Sequence, residues 1–563
     1  MSAPSQARSG GRILVEALRA QGVEHAFCVP GESYLAALDA LHDAPDIALT
    51  VCRQEGGAAM MADAYGKLTN KPGICFVTRG PGAANAAIGL HIAQQDSTPM
   101  ILFVGQVGRD MIEREAFQEV DFRRFFGQMA KWVAQIDQAE RIPEYVGRAF
   151  HVATAGRMGP VVLALPEDML REPAVATPVS AHRPVQAHPS PDDLDRLKDI
   201  VESAERPFVI VGGRGWDQTA CSGFARFAES FELPVGAAFR CQDLMDNSRA
   251  IYAGDVGIGL NPRLAKRIKE SDLLLVVGAR LGEITTSGYT LVDCPEPRQR
   301  LIHVYPGAEE LGRVYYPSLA INAGMKAFAW AVADMSPDRA PRWSDWTKEA
   351  RRDYEDWNAE LPQNPGALQL GAIVKWLRGN LPRDAILCNG AGNYTAWLHR
   401  FYRYRRFGTQ LGTTCGSMGY GTPAAVAAKR LYPERTVVAF AGDGCYLMNG
   451  QELATAVQYE LAIIIIVVNN GMYGTIRMHQ ERDYPGRVVG TDLTNPDFAK
   501  LAEAYGAFGV TVERSEAFPA AFEAAKADGR PALIELKVDP EALTPTRSLS
   551  EIREAAEAGR WKD

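Results

Sequence analysis

Two apolar runs in the last third of the chain, Val437 to Ala441 and Ile463 to Val468, each end abruptly in small or polar residues, Gly442-Asp443-Gly444 and Asn469-Asn470. Short apolar runs bounded by turn residues read as buried strands. Between them, Asn449 to Glu460 carries Leu453, Ala456 and Val457 at helical spacing, so the unit reads strand, turn, helix, strand. Such a crossover makes the strands parallel neighbours, with their carboxyl ends on the edge where open α/β sheets bind ligands. Asp443 and Asn470 are therefore predicted to meet in space.

The same alternation recurs from the start of the chain. A helical stripe over Arg12 to Gln21, a strand His25 to Val29, a helix Ser33 to His42, a strand Ile47 to Cys52 and an alanine-rich helix Gly57 to Leu68 follow one another. Further apolar runs at Gly73 to Thr78, Met100 to Gly105 and Gly159 to Leu165 complete a first block, and this succession predicts an α/β fold with a parallel sheet. Arg171 to Pro191 is rich in Ala, Pro and Val without helical period and reads as a linker. A second block has strands at Phe208 to Val211, Leu273 to Gly278 and Leu301 to Val304, and a boundary is expected in the Trp- and charge-rich stretch Asp338 to Asn364. The third block runs from strand Ala385 to Cys388 to strand Ala532 to Val538. The expected domains are 1–180, 190–345 and 362–540, each α/β around a central parallel sheet, with a tail 541–563.

A chain of 563 residues exceeds what one core usually supports, which agrees with three domains. Its net charge of −8, without a basic tract, gives no reason to expect nucleic acid as a partner. The N-terminal stripe is interrupted by Arg12, Glu16 and Arg19 and does not read as a signal peptide, and no run is long enough to span a bilayer. A cytoplasmic protein without a membrane partner is expected. The nine cysteines lack paired C-x-x-C spacing and read mostly as small buried hydrophobes.

Asp443, the Asn470 amide oxygen and a backbone carbonyl would be hard oxygen donors, suited to Mg²⁺ that keeps its other positions for phosphate and water. Gly442 and Gly444 let backbone approach a ligand closely, and N–H groups opening the Asn449 helix would favour phosphate. Taken singly, Gly-Asp-Gly and Asn-Asn-Gly are ordinary turns. Together at two parallel strand ends they read as a metal-diphosphate clamp. In the first block, Arg53-Gln54-Glu55-Gly56-Gly57 lies where a strand gives way to a helix, so Glu55 also faces a ligand edge, or is simply a favourable charge at a helix start.

The Gly-Asp-Gly to Asn-Asn segment, with Asn470 falling 27 residues after Asp443, resembles the thiamine diphosphate signature of the acetolactate synthase and pyruvate oxidase group. The resemblance implies pyrimidine-binding, middle and diphosphate-binding domains, and Asp443, Asn470 and the Met472 carbonyl as Mg²⁺ ligands. Arg53-Gln54-Glu55-Gly56-Gly57-Ala58-Ala59 resembles the family's Arg-His-Glu-x-x-Ala-Ala, which implies that Glu55 protonates the aminopyrimidine ring nitrogen and so activates the cofactor. Gly416-Ser417-Met418-Gly419-Tyr420-Gly421 resembles Gly-Thr-Met-Gly-Phe-Gly, placing Met418 as the wedge beneath a bent cofactor. Asn393 and Tyr394 stand where the family more often has Gln-His and are carried over as diphosphate contacts. Gly31, Gly442, Gly444, Cys445 and Gly474 complete the cofactor-binding set, with no chemistry assigned to Cys445.

Phe117-Gln118-Glu119-Val120-Asp121 and Lys131-Trp132 resemble the synthase patterns in which Phe, Gln and Lys approach the keto acid. Gly80-Pro81-Gly82-Ala83-Ala84-Asn85 and Gln106-Val107 match the same group, so the likeness covers nearly the whole chain. It also implies a homodimer or homotetramer with active sites at the subunit interface. After Asn470 the synthases carry a Trp in the acceptor pocket; here Ile476 keeps an apolar wall and His479 replaces the Trp. Gln118, Lys131 and His479 are therefore candidate catalytic residues beside Glu55, with Phe117, Arg280, Thr475 and Ile476 as candidate substrate contacts. The acidic residues of the flavin-binding stretches are absent around Arg280-Leu281-Gly282-Glu283 and His303-Val304-Tyr305-Pro306, so FAD is not expected. Ser548-Leu549-Ser550-Glu551 has capping-box spacing before a short charged helix, a tail that folds over the site in such enzymes or a solvated end. The expected activity is thiamine diphosphate- and Mg²⁺-dependent decarboxylation of a 2-keto acid, pyruvate foremost, with carboligation of the acyl carbanion to an acceptor. Alternatives are a C–C lyase or decarboxylase acting on an acyl-CoA, a diketone or an aromatic keto acid, and a catalytically silent cofactor-binding regulator.

Overall fold

The computed structural model describes residues 6–559; the first five residues of the expected first domain and the last four of the tail lie outside them. Chain contacts divide it into two units, one running up to Val185 and including Val426–Leu431, the other comprising Gln186–Ala425 and the chain from Tyr432 onward. The first unit holds one six-stranded sheet and the second holds two.

In the first unit the strands are β1 His25–Cys28, β2 Ala48–Val51, β3 Gly73–Val77, β4 Met100–Gln106, β5 Trp132–Gln135 and β6 Pro160–Pro166. They are all parallel, in the order β2-β1-β3-β4-β6-β5. Strands β3, β4 and β6 are buried along their whole length, because helices cover both faces, which is why they read as unbroken apolar runs. The expected linker after Arg171 contains a two-residue strand, Pro173–Ala174, paired antiparallel with Arg8–Ser9.

The middle sheet consists of β7 Pro207–Val211, β8 Val235–Ala238, β9 Tyr252–Val256, β10 Leu273–Val277, β11 Arg300–Tyr305 and β12 Leu319–Asn322, ordered β9-β8-β7-β10-β11-β12 and again parallel. The stretch expected as its far boundary instead contains a sixteen-residue helix, Ser344–Ala359. Its Thr347, Ala350, Tyr354 and Asn358 are buried, a spacing that makes one buried stripe despite the charge density. Trp343 Nε1 donates to the Phe231 carbonyl at 2.9 Å and Trp346 Nε1 to that of Pro207 at 3.0 Å. The helix therefore belongs to the middle sheet and extends it past residue 345.

The third sheet consists of β13 Ile386–Asn389, β14 Gln410–Leu411, β15 Val437–Gly442, β16 Ile464–Asn469, β17 Phe508–Val512 and β18 Ala532–Lys537, parallel in the order β14-β13-β15-β16-β18-β17. Gly442 pairs with Val468, so Asp443 and Asn470 leave neighbouring strands at the same edge, as the pattern predicts. One local expectation is corrected: no turn separates β15 from its helix. Asp443 itself opens a helix, Asp443–Asn449, and a second helix, Glu452–Gln458, follows.

Seven of the nine cysteines are buried and all are unbridged. Among the described residues no helix is long and apolar enough to cross a membrane.

Candidate functional site

Strands β13 and β15 are neighbours whose outgoing loops run to opposite sides, because the strand order reverses between them, and a crevice opens at such a switch point. Here it is a cavity of about 220 Å³ at the carboxyl edge of the third sheet, lined among others by Asn393, Met418, Asp443, Asn470, Thr475 and Leu543. Tyr394, Gly442, Gly444, Cys445, Met472, Gly474 and Ile476 also face it, so the structure gathers the sequence candidates of the last two hundred residues around one space, His479 excepted.

Asp443 is the best-held side chain in the site. Its Oδ1 accepts the Gly444 N–H at 2.9 Å, and its Oδ2 accepts the Gly471 N–H at 2.9 Å and the Asn495 amide at 2.8 Å. Asn495 also donates to Asn469 Oδ1 at 2.9 Å, tying the two strand ends together. Burial pushes the Asp443 carboxyl upward, against the pull of these hydrogen bonds. A divalent cation on the same carboxylate would offset that burial. With the Asn470 amide and the Met472 carbonyl on the adjoining turn, the donor set is oxygen throughout and fits Mg²⁺.

The walls fit a diphosphate as well. A Cβ on Gly444 would lie 2.5 Å from the Tyr473 ring, and one on Gly390 would lie 2.4 Å from Cys445 Sγ. Cys445 Sγ accepts the Gly419 N–H at 3.2 Å and lies 3.5 Å from Tyr394 Oη, so both side chains back the cradle and fasten the loop that carries Met418. Asn393 and Thr475 lock each other: the Asn393 N–H donates to Thr475 Oγ1 at 3.1 Å, and that hydroxyl donates to Asn393 Oδ1 at 3.0 Å.

The tail supplies part of the wall. Leu543 faces the cavity and packs with Met472, Leu549 and Met478. The capping box forms, opening helix Leu549–Glu557 with Leu549 and Ile552 buried. Arg553 grips the fully buried Glu481 carboxylate with two bonds of 2.6 and 2.7 Å. With Arg477 and the Gly486 N–H adding to that grip, Glu481 is held at about 2. The tail is thus a packed wall and not a solvated end. His479, on helix Gly474–Asp483 one turn past Thr475, is half-buried; burial first, and then Arg482, lower its proton affinity, so it is neutral at pH 7. Arg280 follows β10 in the middle sheet, outside the cavity lining, with its Nε 3.4 Å from Glu310 Oε1. The glycines after β7 have a packing reason: the Gly212 N–H donates to the Val277 carbonyl at 3.0 Å, and a Cβ on Gly213 would meet the Gly278 carbonyl at 1.8 Å.

In the first unit Glu55 opens helix Glu55–Thr69 directly after β2, with Gln54 as its cap. The Asn85 amide donates to Glu55 Oε2 at 2.9 Å. The same helix, Gly80–Asp96, meets the Gln118 carbonyl through the Gly80 N–H at 3.0 Å. Gln118 has a φ of 66°, and Glu113 and Glu115 are also left-handed; Glu119 holds that loop by accepting the Glu113 and Ala116 N–H groups at 2.7 and 3.0 Å. Phe117 is 72% exposed at its tip. Gly31 follows β1 and is pressed against Thr78. Lys131 does not join this group. It precedes β5 and so sits at the amino edge of a parallel sheet, where Nζ donates to the Val152 and Ala155 carbonyls at 2.5 and 2.7 Å, the end of helix Ile142–Thr154. A lysine satisfies helix-terminal carbonyls there, and its sequence context did not distinguish the two edges.

Comparison with known proteins agrees with this architecture. Residues 8–125 match the N-terminal TPP binding domain of the thiamine pyrophosphate enzymes, residues 194–332 their central domain and residues 390–536 their C-terminal TPP binding domain. The chain belongs to the thiamine pyrophosphate enzyme family and is a thiamine diphosphate-dependent enzyme. It is similar to the acetolactate synthase large subunit of Parasynechococcus marenigrum (strain WH8102), with 32% identity over 550 residues that cover 95% of this chain and 88% of that one. The acetolactate synthase isozyme 2 large subunit of Escherichia coli (strain K12) is 29% identical over 535 residues, covering 94% of this chain and 96% of the relative.

Proposed function

We propose that this enzyme decarboxylates a 2-keto acid, with pyruvate as donor, and joins the two-carbon unit to an acceptor keto acid, as the names of its relatives suggest. The observation that carries the reading is the Asp443 carboxylate, held by the Gly471 N–H and the Asn495 amide in a glycine-walled cavity that Asn470 also lines. Asp443, Asn470 and the Met472 carbonyl would hold Mg²⁺, and through it the diphosphate. Bound there, thiamine diphosphate supplies the carbon nucleophile and the electron sink for loss of CO₂. The chain's own part is binding, orientation and one proton: Glu55 Oε holds a proton toward the aminopyrimidine ring nitrogen, and Asn85 keeps that carboxyl in place. Met418, half-buried on the cavity wall, would support the cofactor with a deformable apolar side chain.

Glu55 and the clamp lie in different units of the chain, and in our reading the site is completed by Glu55 from a second copy, in a homodimer or homotetramer. Phe117, Gln118 and Ile476 are the substrate contacts in this reading. Lys131 is left out of it because its ammonium is engaged at the opposite sheet edge.

Incubating purified protein with thiamine diphosphate, Mg²⁺ and pyruvate, without FAD, and following CO₂ and products by NMR tests this. Acetolactate is expected. A second reading, cleavage or ligation of a larger or more polar keto substrate, is motivated by the sequence departure at His479, on the helix that presents Thr475 and Ile476 to the cavity. It predicts slow turnover of pyruvate and faster turnover of an aromatic or hydroxylated 2-keto acid.

A further inference from the structure

The segment after β8, Arg240 to Asn247, belongs to the middle sheet by sequence, yet its side chains serve the cofactor sheet. Asp243 Oδ2 accepts three successive N–H groups, from Gly408, Thr409 and Gln410 at 2.9, 3.0 and 3.2 Å, which fixes the entry to β14. Gln242 donates to the His399 carbonyl at 2.8 Å and pairs with Gln410.

Arg240 reaches furthest. Its Nη2 donates to the Gly390 carbonyl at 2.7 Å and its Nη1 donates to the Thr413 carbonyl. Gly390 follows β13 and leads into Gly392, Asn393 and Tyr394; Thr413 follows β14 and leads to Gly416 and Met418; both loops line the cavity. Thr413 Oγ1 also takes the Ser417 N–H at 3.1 Å, passing the constraint to the residue beside Met418. Arg240 is 3% exposed and has a φ of 58°, a conformation that is unfavourable for a residue with a Cβ and persists where its surroundings require it. A Cβ on Gly412 would lie 2.9 Å from Arg240 Cδ, so the loop lies directly on the arginine stem. A planar guanidinium can span two carbonyls, which a single ammonium does less well.

We propose that Arg240 is a positioning residue for the cofactor. By holding the loops after β13 and β14 together, it preforms the cradle, so cofactor binding need not order them. This rests on the reading of the cavity as the thiamine diphosphate site.

The test measures thiamine diphosphate binding by calorimetry with Mg²⁺ present, alongside Tm and turnover. Arg240→Gln is expected to bind about tenfold or more weakly, with turnover at saturating cofactor changed less than about threefold. Arg240→Lys is expected to fall between it and the wild type. Arg267→Gln is the control: Arg267 is another buried arginine of the middle domain, with Nη2 2.6 Å from Asp353, and it does not line the cavity. Its loss is expected to lower Tm and leave cofactor affinity unchanged. If Arg240→Gln folds poorly, Arg240→Lys with a wild-type Tm and weakened binding carries the proposal. Wild-type affinity in both Arg240 variants overturns it, as does an equal loss of affinity in Arg267→Gln. A wild-type protein that binds no thiamine diphosphate overturns the reading of the cavity itself.

Discussion

The first and third sheets have the same winding: in each, the second strand flanks the first, followed by the third, fourth, sixth and fifth. Both therefore have a switch point between their first and third strands, and the strand ends there are lined differently. In the first sheet the strand ends are in close contact: a Cβ on Gly31 would lie 2.5 Å from Thr78 Cβ, and Ser33 Oγ lies 3.0 Å from Thr78 Oγ1. In the third sheet the loops Gly390–Tyr394 and Gly442–Cys445 part around the cavity. Topology supplies the place for a ligand, and side-chain volume at the strand ends shapes it. The first sheet instead presents its carboxylate from the strand beside the switch point, as Glu55 after β2.

The two edges are therefore expected to fail differently when altered. Glu55→Gln should reduce turnover by about 10² to 10⁴ while leaving cofactor affinity near wild type, as steady-state rates and calorimetry would show; loss of binding along with rate would remove the division of labour. Asp443→Ala should weaken Mg²⁺ and cofactor binding by more than about a hundredfold, and Asn495→Ala, which only orients Asp443, by about ten- to a hundredfold. Metal titration in the presence of the cofactor ranks them.

The paired glycines sharpen the contrast. Gly31→Ala should destabilise the fold by about 1–3 kcal/mol through overpacking and lower Tm more than cofactor affinity. Gly444→Ala, where the Cβ would meet the Tyr473 ring, should reduce affinity more than Tm. Equal effects of the two on affinity would mean that the first crevice also takes ligand.

The smallest expected effect concerns the tail. Glu481 is held at about 2, principally by Arg553, against an ordinary value of 4.5. Between these values the unfolded chain binds more protons than the folded one, so this contribution is complete above about 4.5 and is lost as pH falls toward 2. Hydrogen exchange in helix Leu549–Glu557 should quicken over that window, and Arg553→Met should quicken it about tenfold at neutral pH and flatten the acid response.

The strands were legible to within one or two residues where they are covered on both faces, as at Gly73–Val77 and Ile464–Asn469, because burial on both sides leaves an unbroken apolar run. The placement of Glu55, Asp443 and Asn470 at strand ends was legible because each follows such a run. Asn495 was missed: it stands among the polar residues Thr494, Pro496 and Asp497, a pattern that reads as a turn, and its partners lie 26 and 52 residues away. Lys131 was drawn to the site by its motif although a parallel sheet carries it to the other edge. The helix Ser344–Ala359 was hidden by its charges, since its buried stripe is only one residue in three or four wide.

By itself, the sequence determined the parallel α/β sheets, the edge on which the chemistry lies and the residue types gathered there, because these depend on hydrophobic period and local turn chemistry. Only the tertiary structure decided how the third sheet's switch point is lined, that the tail walls it through Arg553 and Glu481, and that Arg240 of the middle sheet holds its loops. Those outcomes depend on which volumes and charges distant segments bring together, and pairing across 72 to 173 residues leaves no period in a single chain.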